Sequence, residues 1–313
     1  MKRVLVVTAL MIVVIACPMQ PQNPTSPTLP TPDATVQSVP TIAPTATELP
    51  VVVATATPTP VVVSLSIEDV KAIASNSSCA KYSWKERGRP AKGYIPGVAL
   101  VFARAVCNQQ SPMSQLISKP ATTDTVRDVM AHYSTIFSDL KMENNGGPDT
   151  LRHAFMVLLG LGMRESSGRY CCGRDMSANY STADSAEAGL FQTSWGSRRS
   201  SPLFTELYNK YKANPVGCFL GTFGENVSCS ESNLQNWGEG EGFTWQKLTK
   251  ECPAFATEWA AMLIRVSGGT KGEFGPLRKQ AAEVRPECNA MFKQIQDLVT
   301  KDGNFCTLIN NHK

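Results

Sequence analysis

Apolar positions recur at helical spacing through most of the chain beyond residue 64. Ser66-Ile67-Glu68-Asp69 has the form of a capping box and predicts a helix to about Asn76. Pro96 suits the first turn of a helix running to about Gln109. Between residues 123 and 140, Val126, Val129, Met130, Tyr133 and Phe137 share one face, which predicts an amphipathic helix. Gly146-Gly147-Pro148 breaks that pattern. A helix follows over about 149–164, and because residues 154–163 are apolar nearly all round it belongs in the core. Further helices are predicted over 201–212, 253–266 and 276–300. Between 166 and 198, Gly, Ser, Asn and Asp crowd together, which predicts a loop with a short hairpin. The class is mainly α.

The first 63 residues follow other rules. Lys2 and Arg3 precede a twelve-residue apolar run over 4–15, too short to span a bilayer and of the size of a signal-peptide core. The run ends in Val14-Ile15-Ala16-Cys17, which resembles the bacterial lipobox. That resemblance implies cleavage before Cys17 and a lipid anchor on its sulfur, hence an exported envelope protein on the outer face of the membrane. Residues 18–63 hold eleven Pro and ten Thr, with Asp33 and Glu48 their only charges. Such a segment has too little apolar surface to offset chain entropy and reads as an extended, disordered tether. The expected organisation is therefore a signal over 1–17, a tether over 18–63 and one folded domain over 64–313.

The chain has 313 residues, 30 Lys+Arg and 26 Asp+Glu, for a net charge of +4. No basic tract accompanies that small excess, so a nucleic-acid partner is not expected and the domain reads as a monomer. Ten cysteines favour an oxidising compartment. With Cys17 acylated, nine remain, which fits four disulfides and one odd thiol; Cys218–Cys229 is a plausible local bridge, and the adjacent Cys171 and Cys172 need different partners. No Cys-x-x-Cys or His-x-x-x-His spacing suggests a metal, and His153 reads as a packed core residue. No cofactor fingerprint or nucleophile motif is present.

Leu151, Phe155, Leu158 and Gly162 recur at helical spacing, and Glu165 falls next on the same stripe. Glu165 would thus emerge at the C-terminal end of a buried helix. Desolvation and the negative end of the helix dipole both disfavour its anion there. A carboxyl still protonated near neutral pH is what protonation of a glycosidic oxygen requires. An ion pair with Arg164 or Arg169 is the bland alternative.

Gly162-Met163-Arg164-Glu165-Ser166-Ser167-Gly168, followed by Gly189-Leu190-Phe191-Gln192, resembles the lysozyme-like superfamily, most closely goose-type lysozymes and soluble lytic transglycosylases. The resemblance covers about 45 residues, with Phe191 where those families carry Met. It implies a disulfide-stapled lysozyme-like domain with a buried central helix, and Glu165 as general acid. It also implies that the Gly-Leu-Phe-Gln segment begins the next helix beside the cleft, with Gly189, Leu190, Phe191 and Gln192 at the substrate. For the second carboxylate the loop offers Asp184, Asp175 and Glu187, and Asp184 lies nearest the family's position. A second family Asp corresponds here to Ser194. Either Asp184 activates water, or the substrate's acetamido group assists. Tyr170, Tyr180, Trp195, Trp237 and Trp245 are candidates for stacking on sugars. The implied substrate is a β-1,4-linked amino-sugar polymer, most simply peptidoglycan. Chitosan, chitin or mannan are alternatives on the same fold, and a non-catalytic wall-binding lipoprotein is the alternative of another class.

Overall fold

Ser66 accepts the amide of Asp69 while Asp69 reaches back to the amide of Ser66, and this capping box opens helix α1 (Ile67–Asn76) as its sequence predicts. The structure is a computed structural model that describes residues 64–173 and 182–312. The signal, the tether, Cys17, Asp175 and Tyr180 lie outside the described residues. Helices α2 (Tyr94–Cys107), α3 (Pro112–Ser118), α4 (Gly147–Ser166), α5 (Leu203–Ala213), α6 (Gly240–Glu251), α7 (Pro253–Ser267), α8 (Pro286–Val299) and α9 (Gly303–Asn310) follow, with shorter helical turns between them. The fold is mainly α; among the described residues β structure is limited to isolated bridges. No described helix is long and apolar enough to cross a membrane.

Helix α4 is the centre of the packing. Residues 150–163 are buried without a break, and α2, α3, α7 and α8 pack around them. Even its polar members are satisfied inside. Arg152 donates to Asn289 Oδ1 at 2.7 Å, Gln296 Oε1 at 3.0 Å and Asp149 Oδ1 at 2.6 Å. His153 lies 2.8 Å from Asn144 Oδ1 and stacks on Phe137, and burial brings its pKa down to about 4, as suits a core histidine.

Two predicted helices are broken, each for a visible reason. The segment 123–140 forms short helices at Val129–His132 and Ser134–Asp139, because carboxylates take the amides that a continuous helix would use internally. Asp124 Oδ1 accepts the amides of Val126 and Arg127 at 2.9 and 3.1 Å, and Asp128 accepts that of Met130 at 3.1 Å. The segment 276–300 splits into Gly275–Arg278 and α8, which begins at Pro286, a residue with no amide to donate. The residues between cross over Gly160, where a Cβ would stand 2.4 Å from the Glu283 carbonyl oxygen. Helix α6 starts within the Gly- and Glu-rich run 238–242.

Four disulfides join described cysteines. Cys79–Cys288 and Cys107–Cys306 tie the first helices to the last across 209 and 199 residues. Closures that long are worth about 5 kcal/mol each in the loop-entropy view. Cys171–Cys229 and Cys218–Cys252 replace the expected Cys218–Cys229 bridge. Cys172 is disulfide-bonded too, so no odd thiol remains among the described residues.

Arg265 of α7 and Asp128 form a buried ion pair at 2.9 Å. The guanidinium also donates to the carbonyls of Ile117 and Pro120, and Asp128 accepts from the amide and hydroxyl of Thr122. Burial works against the Asp128 charge, but Arg265 and the amides of Thr122 and Met130 hold its carboxyl below the ordinary range. Removing one partner leaves the other charge unpaired in the interior. Asp128→Asn is therefore expected to cost about 3–5 kcal/mol in denaturant unfolding of the oxidised chain. A depressed pKa stabilises above the unfolded value and is lost as pH falls, so the cost should shrink below about pH 4. A pH-independent difference would refute the pairing.

Candidate active site

The C-terminal end of α4 is built to stop abruptly. Ser167 (φ +55°) and Gly168 (φ +76°) both take left-handed conformations, and the Ser167 amide reaches back to the carbonyls of Gly162 and Met163. Gly168 is needed there, since a Cβ would lie 2.7 Å from the Tyr94 ring. Ser167 is the strained member. Its side chain is buried, and its hydroxyl has no hydrogen-bond partner. Strain and an orphaned hydroxyl thus sit two residues from Glu165.

Glu165 is half-buried. The loop around the Trp84–Gly88 bridge clamps this helix end: Arg87 Nη2 donates to the Arg164 carbonyl at 2.5 Å, and Arg164 Nη1 bonds Glu86 at 3.0 Å. Burial and the neighbouring Arg164 lower the Arg87 pKa, while attraction to Glu165 and Glu86 opposes them. Glu165 is thus within electrostatic reach of a guanidinium 78 residues earlier in the chain, where the sequence had offered Arg164 and Arg169. Arg169 donates to the Ser228 carbonyl at 2.7 Å, beside the Cys171–Cys229 bridge that pins the loop.

The second motif does not begin a helix. Ala188 and Thr193 form an antiparallel bridge, and Gly189-Leu190-Phe191-Gln192 is the turn between them, with left-handed backbone at Gly189 (φ +78°) and Gln192 (φ +45°). The turn is fastened to the loop after Glu165. The Gly189 amide donates to the Cys172 carbonyl at 2.9 Å, and Gln192 Nε2 donates to the Gly173 carbonyl at 3.0 Å and the Gly189 carbonyl at 2.9 Å. Phe191 packs on the helix itself: a Cβ at Gly162 would stand 2.9 Å from its ring. The two motifs, 21 residues apart at their nearest glycines, are in direct contact.

Burial redistributes the expected substrate contacts. Leu190 and Phe191 are fully buried, so they support the turn from beneath and offer no face to a ligand. Trp195 is buried against Tyr208 and Trp259, with the Arg198 guanidinium 4.5 Å above its ring. Trp245 is fully buried on Trp259. Tyr170 is half-buried, and Trp237 is exposed. Residues 238–241, 243 and 244 line an open surface cavity of about 470 Å³.

The carboxylates separate clearly. Asp184 pairs with Arg198 at 3.2 Å, so its charge is matched. Glu273 was missed by sequence reading because it lies 79 residues beyond Ser194. Its Oε1 accepts the Ser194 hydroxyl at 3.3 Å. Burial raises its pKa, against smaller opposing effects of Ser194 and Arg278. A carboxylate thus stands against Ser194. Among the described residues no cluster of His, Cys, Asp and Glu could hold a metal. No protein-family model, curated protein or solved structure matches the chain.

Two outcomes are expected. Gly162→Ala should cost about 1–3 kcal/mol by overpacking, with part of the loss relieved by Tyr94→Phe, because the new Cβ would meet the Tyr94 hydroxyl at 2.2 Å. Independent, additive effects of the two substitutions in unfolding experiments would contradict this contact. For Glu273, a raised folded pKa means that stability falls as pH climbs from about 4.3 through the folded value. Glu273→Gln cannot ionise, so its stability relative to the unmodified chain should improve as pH rises above about 4.3. A constant offset in melting temperature across that rise would show that the carboxyl is not shifted.

Proposed function

We propose that the protein cleaves β-1,4 glycosidic bonds in an amino-sugar polymer, peptidoglycan first, with Glu165 as general acid. The observation that carries the reading is the contact between the two motifs. The helix end bearing Glu165 and the Gly-Leu-Phe-Gln turn are locked together through Gly162 and Phe191, and through the amides of Gly189 and Gln192. In this reading Glu165 gives its proton to the leaving oxygen as the C1–O bond breaks and the sugar takes on oxocarbenium character. Water or the sugar's own C6 hydroxyl then bonds to C1, and its proton returns to a carboxylate. Glu273 suits that second role better than Asp184, because Arg198 already neutralises Asp184. Burial raises the Glu273 pKa, the direction that favours a proton acceptor over a permanent anion.

The oxidised full chain, incubated with purified peptidoglycan, should release muropeptides detectable by mass spectrometry. Glu165→Gln should lower the rate at least about a hundredfold, the usual weight of a positioned acid. Reducing ends assign the step to water, and 1,6-anhydro ends assign it to the C6 hydroxyl. Undiminished release by Glu165→Gln would overturn the role of Glu165, and no release by the unmodified chain would overturn the peptidoglycan assignment.

A further inference from the structure

A separate cavity lies beside the loop that carries Glu273. Val126, Arg127, Arg199, Ser200, Val266, Ser267, Lys271 and Gly272 line a cavity of about 430 Å³. Three of them are cations, from three separate segments, and no carboxylate lines the cavity. Arg127, Arg199 and Lys271 are exposed, and none makes an ion pair with a described residue. The nearest acids in the chain are engaged elsewhere: Asp124 accepts the amides of Val126 and Arg127, and Glu273 accepts the Ser194 hydroxyl.

The walls are fixed before any ligand arrives. The amides of Gly268 and Gly269 donate to the Arg127 carbonyl at 2.7 and 3.1 Å, and that of Thr270 to Thr125 at 2.9 Å. A Cβ at Gly269 would stand 2.3 Å from the Thr125 carbonyl oxygen, so these two segments pack backbone to backbone. Arg278 Nη1 donates to the carbonyls of Gly272 and Glu273 at 2.6 and 2.8 Å and holds the loop from behind. Three unpaired like charges around one rigid cavity repel one another, and an anion relieves that repulsion. Donors arriving from three segments suit a tetrahedral oxyanion better than a planar carboxylate, and guanidinium forks match phosphate oxygens. The volume exceeds a bare phosphate, and Val126 and Val266 give the remainder an apolar wall.

We infer that this cavity binds a phosphorylated small polyol or sugar unit, its phosphate held by Arg127, Arg199 and Lys271. The site stands whether or not Glu165 is catalytic. The test is calorimetric titration of the oxidised full chain, at fixed ionic strength, with glycerol 3-phosphate, inorganic phosphate, glycerol and acetate. Glycerol 3-phosphate should bind saturably and more tightly than inorganic phosphate, and glycerol and acetate should not bind. The triple variant Arg127→Gln, Arg199→Gln, Lys271→Gln should weaken binding more than about tenfold, with a melting temperature no lower than that of the unmodified chain because all three side chains are exposed. Glu165→Gln should bind as the unmodified chain does. Inorganic phosphate binding as tightly as the ester would assign the cavity to free phosphate and overturn the polyol assignment. Acetate binding equally well, binding that survives the triple substitution, or no saturable binding would overturn the site.

Discussion

A Cβ on Gly162 would lie 2.2 Å from the Tyr94 hydroxyl and 2.9 Å from the Phe191 ring. Three parts of the chain therefore meet at a place where no side chain fits. Tyr94, in the first turn of α2, donates to the carbonyl of Leu159 at 2.8 Å and lies 3.3 Å from that of Leu158. On its other side its ring packs against Gly168, just past the end of α4. Phe191 arrives from the later turn and completes the contact. The approach of α2 to α4, the termination of α4 and the seating of the Gly-Leu-Phe-Gln turn are thus one packing problem with one solution. Interiors packed this tightly do not deform continuously, so Glu165, one turn beyond Gly162, inherits that rigidity.

The same packing decides where chemistry can sit. Helix α4 is enclosed on all sides, and polar groups within it are costly unless satisfied. Arg152 and His153 meet that demand near its N-terminal half with partners from their own helix, α8 and the preceding loop. At the C-terminal end Arg164 and Glu165 emerge half-buried from the core. There the structure tolerates two successive left-handed residues and a buried hydroxyl without a partner. Such local cost persists only where the surroundings over-determine the backbone. Arg87 on the Arg164 carbonyl, the Cys171–Cys229 bridge and the Gln192 amide supply that restraint from three directions.

Local signals in the sequence were reliable where the interaction itself is local. The α1 capping box, the all-round apolar stretch of α4 and Pro253 at the start of α7 each specify structure within a few residues. The signal failed where a distant partner intervenes. Residues 123–140 have a helical face, yet Asp128 is committed to Arg265 and draws the preceding residues around itself. The Gly-Leu-Phe-Gln segment has no intrinsic preference strong enough to resist the Cys172 and Gly173 carbonyls, so it folds as a turn against them. Disulfide pairing is the extreme case, because cysteines about 200 residues apart carry no local mark of their partners.

Asp184 and Glu273 show why nearness in sequence is a poor guide to a carboxylate's surroundings. Asp184 precedes the motif by five residues, but Arg198, held over Trp195, supplies its counter-charge. Glu273 is in the opposite condition. It is largely withdrawn from water, and a neutral hydroxyl is its hydrogen-bond partner, with Arg278 occupied by the carbonyls of Gly272 and Glu273. Desolvation without full charge compensation brings the two protonation states of a carboxyl closer in energy, which is the property that proton transfer uses. The relevant criterion is the balance of burial against compensating charge, and that balance is set by tertiary packing. A residue 79 positions from Ser194 can satisfy it while one ten positions away does not.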